Sequence, residues 1–250
     1  MDKKILKIYQ LSDGYCYNSD SLFLYDFARR FFKKSWSVLE VGSGSGVVGL
    51  LCAREGIGQL VMVERDSGAA FLSKINAKSA GLEAQVVCAD FLQYQTLQRF
   101  DMIISNPPFY RTGVVAAKNH RVHMGRNEMF LPFENLCKQV KRFLKPKGSF
   151  VFCYDAKEAH RVFYLLKATG FNAETARFVY PRIEKEASLI LCQARINTQS
   201  SLKILPPLIV HYSPVQTDNT DEVREIYKRS NTYSIKVCSQ HLPPLLGEDY

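Results

Sequence analysis

The sequence predicts an α/β fold, in which a mostly parallel sheet carries helices on both faces. From residue 36 to residue 169, short apolar runs alternate with helical segments of about 10–15 residues. This alternation is typical of βαβ units, whose parallel strands are buried on both faces. The last two strand candidates are separated only by Pro181 to Glu186, too short for a parallel crossover, so we expect an antiparallel hairpin at the sheet edge.

The elements follow one another in a regular order. A loop opens the chain, and a helix then begins near Ser19 or Asp20, either of which is a suitable N-cap. Its apolar residues recur at helical spacing. Strands are expected at residues 36–42, 59–64, 84–90, 100–105, 149–154, 173–180 and 187–196, and later helices at 47–56, 67–80, 132–144 and 157–169. Glycines end three of these helices, as is typical of helix C-termini.

The length of 250 residues suits one sizeable domain. We expect a domain over residues 1–196, including an N-terminal cap segment at 1–35. An extension at 197–250 follows, with a short strand at 207–212 and a helix at about 220–229. The chain has no long apolar run and no secretory signal at its start, so we expect no membrane partner and a cytosolic location. The sequence leaves the oligomeric state open.

Charge and cysteine content bound the class of partner. The 33 basic residues exceed the 24 acidic ones, a net charge of +9 that suits a nucleic-acid binder but is equally compatible with a plain basic surface. The seven cysteines form no CxxC pair and are interpreted as small buried hydrophobes. His120 and His123 are a weak metal signal, and we expect no metal.

A glycine-rich loop follows the first strand of the predicted sheet. Gly42, Gly44 and Gly46 lie where a parallel sheet binds ligands, and they let the backbone turn tightly beside a ligand. The spacing of Gly44, Gly46 and Gly49 also fits the dinucleotide fingerprint. The loop alone therefore leaves a nicotinamide cofactor, S-adenosylmethionine and a simple turn open.

Acidic residues end three successive strands. Glu40 precedes the glycines, Glu64 ends the second strand and Asp90 ends the third. A carboxylate at Glu64 can accept both ribose hydroxyls, which supports adenosine recognition without distinguishing the cofactors. Each acid alone could be a solvated loop residue or an N-cap, but three at one sheet edge favour a binding site.

The most specific motif is Asn106-Pro107-Pro108-Phe109, at the end of the fourth strand. An exocyclic amino nitrogen is a poor nucleophile because its lone pair is delocalised. The Asn106 side-chain oxygen and the Pro107 carbonyl can accept its two N–H groups and draw the nitrogen towards tetrahedral geometry. The two prolines stiffen the loop, and Phe109 can stack on a planar substrate. The alternative is a plain turn.

With this motif the chain resembles class I methyltransferases of the (D/N)PP(Y/F) type over residues 14–196. The resemblance implies a Rossmann-like fold with a seven-stranded sheet and S-adenosylmethionine as cofactor. It further implies that Glu40 holds the methionine end of the cofactor, that Asp90 accepts the adenine amino group and that Phe91 packs on the ring. The catalytic residues implied are Asn106, Pro107, Pro108 and Phe109.

Three groups of methyltransferases share the motif. DNA adenine enzymes need a target-recognition domain, and glutamine enzymes acting on release factors carry a helical N-terminal domain. Here only about 37 residues precede the loop, so enzymes acting on structured RNA fit better. The segments 14–24, 106–113, 126–128 and 205–211 are similar to the small bacterial enzymes that methylate adenine N6 beside the anticodon of a valine tRNA. This resemblance implies that the Asp20 region caps the cofactor pocket. The chain departs from the family at Asn127, around 118–126 and in the tail.

Basic residues follow the motif directly. We expect contacts to RNA phosphates from Arg111, Lys118, Arg121 and Arg126; the alternative is that these residues lie in a solvated loop.

Two other functions stay open, a protein glutamine methyltransferase and a non-catalytic RNA-binding protein with a methyltransferase fold. A dehydrogenase is disfavoured because no Tyr-x-x-x-Lys set is present.

Overall fold

The computed structural model describes residues 4–109, 129 and 131–243. Within them the chain alternates strands and helices as the apolar pattern predicts. The strands are β1 Leu6–Leu11, β2 Ser37–Val41, β3 Gln59–Glu64, β4 Gln85–Cys88, β5 Phe100–Ser105, β6 Leu144–Asp155, β7 Phe171–Tyr180, β8 Leu189–Ile196, β9 Lys203–Ile204, β10 Leu208–Ile209 and β11 Thr232–Val237. The helices are α1 Ser19–Ala28, α2 Val47–Arg54, α3 Ser67–Ala80, α4 Phe133–Phe143, α5 Ala159–Ala168 and α6 Asp221–Ser230. Short 3₁₀ turns lie at Ala156–Glu158 and Ser239–His241.

The main sheet has the order β10–β7–β8–β6–β5–β2–β3–β4, with β9 also paired to β7. Its central strands are parallel, and β8 is antiparallel to both β6 and β7. This confirms the predicted α/β class and the hairpin. The antiparallel strand is not at the edge, however, because β8 inserts between β6 and β7. The tail then adds β9 and β10 outside β7, so the sheet has nine strands and not seven.

Two apolar layers cover the sheet, one on each face. Alternate residues of each strand face opposite layers: Val38 packs with α1, α2 and α6, whereas Leu39 packs with α4 and α5. Helix α1 is apolar nearly all round, and Ser21 to Ala28 are buried. That pattern is typical of a helix enclosed by other elements. The sheet is therefore a rigid platform whose carboxyl-end loops carry the polar residues.

The N-terminal segment differs from the prediction. It begins with strand β1, which pairs in parallel with β11 to form a separate two-stranded sheet. We expected only a loop there, because the partner strand lies more than 200 residues away (Leu6 pairs with Thr232). The N-cap of α1 is Asn18, whose side chain accepts the Asp20 N–H, so Ser19 and Asp20 are helical residues and not the cap.

Other boundaries shift by a few residues. Strand β6 begins at Leu144 and includes the Pro-Lys-Gly turn that we expected to precede it. The predicted strand at 207–212 is only Leu208–Ile209, whereas the predicted tail helix is confirmed as α6. All seven cysteines are free. Four are buried as expected, but Cys16 and Cys238 are half-buried, and Cys88 is exposed because β4 is the edge strand.

A buried arginine fastens the tail to the sheet. Arg177 on β7 is 6% exposed, and its guanidinium donates to the carbonyls of Pro206 and Pro207. The same group pairs with Glu222 on α6 at 2.8 Å. A buried guanidinium needs such partners for its donors. Arg177 thus connects β7, the diproline turn and α6.

Candidate active site

A cavity opens at the carboxyl ends of β2, β3, β4 and β5, the edge at which a parallel sheet binds ligands. Most of the residues that the sequence singled out line it: Glu40, Gly42, Gly44, Glu64, Asp90, Phe91, Asn106 and Pro108. Asp20, Gly46, Pro107 and Phe109 lie outside its described wall. Arg111, Lys118, Arg121 and Arg126, with His120 and His123, fall outside the residues that the structure describes.

The glycine loop has the left-handed backbone that its composition predicts. Gly42 and Gly44 have φ angles of 65° and 54°, and a Cβ at either would meet nothing within 4 Å. These two glycines are therefore required by the turn and leave the cavity open. Gly46, with φ of 81°, is the N-cap of α2, and a Cβ there would lie 2.9 Å from Met62 Sδ. Its role in the described chain is close packing beneath the loop.

Glu40 is a buried carboxyl beside the loop. It is 4% exposed, and its Oε2 accepts the Gly49 N–H at 2.8 Å. A Cβ at Gly49 would lie 2.5 Å from this oxygen, so the glycine makes room for the carboxylate. Burial raises the pKa of Glu40 to about 8, although the Gly49 hydrogen bond acts in the opposite direction and nearby Glu64 adds to the rise. A cationic group in the cavity would stabilise the charged form.

Glu64 connects the second strand to the loop. Its two oxygens accept the Gly44 N–H at 2.7 Å and the Asp66 N–H at 2.8 Å. Burial raises the pKa of Glu64, and these backbone bonds oppose the rise. Each carboxylate oxygen has a second lone pair, so the predicted contacts to ribose hydroxyls are compatible with this arrangement.

Asp90 and Phe91 form the far wall of the cavity. Asp90 Oδ1 accepts the Leu92 N–H at 2.9 Å, which fixes the turn after β4. Its Oδ2 lies 3.8 Å from the Arg65 guanidinium, at the rim. Phe91 is 4% exposed, and its ring packs edge-on against Phe143. A planar ring entering the cavity would meet an acceptor and an apolar surface together.

Asn106 stands where β5 ends, on the same cavity wall. The preceding residue, Ser105, donates its hydroxyl to the Val41 carbonyl at 3.0 Å and so fixes the end of β5 against β2. The Asn106 Nδ2 donates to Ser21 Oγ at 3.3 Å, and its Oδ1 accepts from the Cys153 thiol at 3.0 Å. Phe109 packs on Tyr154, with ring centroids 5.7 Å apart. Asn106 and Pro108 thus line the cavity, and the Asn106 amide is held by Ser21 on α1 and Cys153 on β6.

Sequence reasoning missed one wall of the cavity. Gln10 lines it from the end of β1, and Gly14, Tyr15 and Tyr17 line it from the segment that follows. Gln10 Oε1 accepts the Tyr17 N–H at 3.0 Å, and the Tyr17 hydroxyl donates to Thr232 on β11 at 3.2 Å. The segment has no periodic pattern; two tyrosines beside a glycine were the available signal.

A buried asparagine ties this wall to the glycine loop. Asn76 on α3 is 0% exposed. Its Oδ1 accepts the Tyr9 N–H at 2.8 Å, and its Nδ2 donates to the carbonyls of Tyr9 and Ser45, each at 2.9 Å. On the same helix, Ser73 donates to the Gly44 carbonyl at 2.7 Å. Two side chains of α3 thus position two walls of the cavity.

We expect Asn76→Ala to lower the free energy of unfolding by roughly 2–4 kcal/mol, because it removes the side-chain partner of three backbone groups that are buried or part-buried. Urea unfolding followed by circular dichroism measures the loss. Ser79→Ala, at an exposed position of the same helix, is the control and should change stability by less than about 0.5 kcal/mol. Equal effects of the two substitutions would contradict this role.

The described residues contain neither a membrane-spanning helix nor a cluster of metal ligands. No helix there is long and apolar enough to cross a membrane. No group of three or more His, Cys, Asp or Glu side chains in that part of the chain is arranged to hold a metal ion.

Comparison with known proteins gives one family and several relatives. The model of the methyltransferase small domain matches residues 18–177. A protein of Bacteroides thetaiotaomicron named tRNA1(Val) (adenine(37)-N6)-methyltransferase is 35% identical over 129 residues, which cover 50% of this chain and 54% of that protein. A protein of the same name from Shewanella halifaxensis is 27% identical over 150 residues, covering 57% and 60%. The chain therefore spans little more than half the length of these relatives.

Solved structures share the fold. A crystal structure described as a predicted O-methyltransferase of Agrobacterium tumefaciens superposes with a TM-score of 0.65 at 18% identity, covering 87% of this chain and 100% of that one. The T. thermophilus 16S rRNA N2 G1207 methyltransferase, in complex with AdoMet and guanosine, has a TM-score of 0.53 at 22% identity, covering 73% and 44%. At these identities the likeness confirms the Rossmann-like fold.

Proposed function

The chain belongs to the methyltransferase small domain family, and from that premise we propose that it transfers a methyl group from S-adenosylmethionine to adenine N6 in a tRNA. The observation that carries the proposal is the position of Asn106. Asn106 lines the same cavity as Glu40, Asp90 and the glycine loop. An acceptor for an exocyclic amine therefore shares one cavity with acceptors suited to an adenosine-type cofactor.

The cavity residues fit S-adenosylmethionine, which supplies an electrophilic methyl group on a sulfonium. Among the described residues, the buried Ser43 Oγ of the glycine loop has no hydrogen-bond partner, and it lines the cavity. Such an orphaned polar atom is expected where a ligand supplies the partner. Glu40 would hold the cationic methionine end, Glu64 the ribose hydroxyls, and Asp90 the adenine amino group against Phe91. Asp20, beside Ser21 on α1, belongs to the region that would cap this pocket.

The chemistry required of the protein is alignment of a weak nucleophile. The Asn106 oxygen and the Pro107 carbonyl would accept the two N–H groups of the amine and direct its lone pair towards the methyl group. Asparagine is neutral and removes no proton beforehand, so the proton leaves after the nitrogen has been methylated. Holding both reactants in one orientation supplies most of the rate enhancement. Pro108 would form the adjacent wall, and Phe109 would contact the base.

The substrate class rests on charge and on the names of the relatives. The net charge of +9 favours a polyanion, and the relatives from Bacteroides and Shewanella are named for adenine-N6 methylation of a valine tRNA. We propose that Arg111, Lys118, Arg121 and Arg126 contact phosphates of that RNA, and that the protein acts in the cytosol. An anticodon-loop adenine is already unpaired, so presenting it needs little unstacking.

Nucleoside mass spectrometry tests the function. The full chain is incubated with S-adenosylmethionine and an unmodified valine tRNA transcript, and in parallel with ribosomal protein extract. We expect N6-methyladenosine in the tRNA digest and no methylglutamine in the extract. Methylation found only in protein would indicate a protein glutamine methyltransferase. Binding of tRNA without any methylation, and without calorimetric binding of S-adenosylmethionine, would indicate a non-catalytic RNA-binding protein.

Asp90→Asn tests the adenine contact. The amide oxygen can still accept the Leu92 N–H, but its NH₂ group would then face the adenine amino group, donor against donor. We expect the dissociation constant of S-adenosylmethionine to rise about tenfold or more in calorimetry. Asp155→Asn, at another loop of the same sheet edge, is the control. Unchanged affinity in Asp90→Asn would remove this contact from the account.

A further inference from the structure

The amide of Asn106 is held from two sides by side chains of different elements. Ser21 Oγ, on α1, accepts from Nδ2 at 3.3 Å, and the Cys153 thiol, on β6, donates to Oδ1 at 3.0 Å. Both partners are buried, Ser21 at 3% exposure and Cys153 at 0%. Ser21 also lines the cavity, whereas Cys153 is not among its lining residues. The two contacts therefore clamp the amide between a helix and the sheet.

An asparagine amide has nearly the same shape when its oxygen and nitrogen are exchanged, so shape alone does not orient it. A serine hydroxyl donates and accepts equally well and is compatible with either orientation. A thiol donates its hydrogen to oxygen but is a weak acceptor for N–H. Of the two partners, Cys153 is therefore the one that distinguishes the orientations.

We propose that Cys153 is a positioning residue, which fixes the Asn106 amide with its oxygen on the β6 side and so holds the acceptor ready for the substrate amine. The inference rests on the proposed function of Asn106. A carbonyl oxygen has two lone pairs, so Oδ1 can accept from the thiol and from the amine together. Because a thiol is a weak donor, it orients the oxygen while leaving it a good acceptor.

The surroundings keep this thiol a donor. Burial raises the pKa of Cys153 far above its ordinary range, and the negative charge of Asp20 acts in the same direction. The side chain therefore stays protonated over the whole working pH range. Cys153 also belongs to the apolar layer beneath α1. The alternative is a filling role, in which Cys153 only packs in this layer, and the experiment has to distinguish this role from positioning.

A neighbouring cysteine provides the matched control. Cys192 on β8 is equally buried, and it pairs with Phe152, the residue before Cys153. Its side chain packs in the opposite apolar layer, away from Asn106. Cys192→Ala removes the same atoms from the same part of the sheet. A filling role predicts equal effects of the two alanine substitutions, and a positioning role does not.

The test compares Cys153→Ala, Cys153→Ser and Cys192→Ala by steady-state methylation of the valine tRNA transcript. We expect Cys153→Ala to lower kcat about tenfold, the effect of one lost hydrogen bond, with KM for both substrates unchanged. Cys153→Ser, which restores a donor, should stay within about threefold of the parent. Cys192→Ala should keep its kcat. A normal kcat in Cys153→Ala, an equal loss in Cys192→Ala, or no rescue by serine would overturn the proposal.

A second readout does not depend on activity. The side-chain NH₂ resonances of Asn106, assigned by NMR in the full chain, should shift in Cys153→Ala and keep their position in Cys192→Ala. If the parent chain methylates no RNA, the proposed function fails, and these resonances still decide the orientation. Unchanged Asn106 resonances in Cys153→Ala would overturn the positioning role by themselves.

Discussion

Asn106→Ala is expected to lower kcat about 100- to 1,000-fold while the dissociation constant of S-adenosylmethionine changes by less than about twofold. The asparagine oxygen is the acceptor that would align the amine, and its contribution grows as the nitrogen becomes tetrahedral. The cofactor-facing groups Glu40, Glu64 and Asp90 come from other strands, so cofactor binding should be retained. Single-turnover methylation and calorimetry measure the two quantities separately.

Two further variants sharpen this result. Asn106→Asp keeps an oxygen acceptor at the same place and should retain more activity than alanine. Asn172→Ala changes the same residue type on β7, where its amide bonds the tail at Ser200, and should leave kcat unchanged. An equal loss of cofactor affinity and turnover in Asn106→Ala would mean that Asn106 belongs to the cofactor pocket instead.

Glu40→Gln is expected to stabilise the free protein at alkaline pH and to weaken cofactor binding. Burial raises the pKa of Glu40 from its ordinary value of 4.5 to about 8 in the folded chain. Because the folded pKa is the higher one, the stabilisation is fully present below pH 4.5 and is lost as pH rises to about 8. By linkage the loss is at most about 5 kcal/mol. Glutamine cannot ionise and should abolish this part of the pH dependence.

The measurement is urea unfolding of both forms at about pH 5 and about pH 8.5. We expect the free energy of unfolding of the parent to fall between these two pH values, and Glu40→Gln not to show this loss. Glu40→Gln should therefore be the more stable form at the higher pH by a few kcal/mol. Its dissociation constant for S-adenosylmethionine should rise tenfold or more, because a charge-assisted contact to the methionine ammonium is lost. Glu83→Gln, on an exposed turn, is the control. A pH-independent stability difference would contradict the burial of an ionisable group at Glu40.

The parts of the site that could be predicted from the sequence are contiguous in it. The glycine loop, the acids at the strand ends and the Asn-Pro-Pro-Phe motif each combine residue type with position after an apolar strand. The family match confirms the methyltransferase resemblance that they indicated. The roles of the individual residues remain predictions, and the experiments above test them.

What could not be predicted depends on partners distant in sequence. Strand β1 stands outside the run of alternating strands and helices, and its partner β11 lies at the other end of the chain. The interior position of β8 follows from its pairing with β6 on one side and β7 on the other, and β9 and β10 are two-residue strands too short to leave a pattern. The contact of Cys153 with Asn106 joins β6 to the residue that follows β5, and Asn76 reaches Tyr9 from α3. Periodicity reports burial of single elements and carries no information on such pairings.

The most direct measurement is the distance from adenosine N6 to Asn106 Oδ1 in a crystal of the protein with S-adenosylhomocysteine and an anticodon stem–loop. The amide-acceptor account predicts a hydrogen bond of about 2.7–3.2 Å, with the Pro107 carbonyl accepting the second N–H. An adenine bound in the cavity with its N6 beyond hydrogen-bond reach of Asn106 would contradict it.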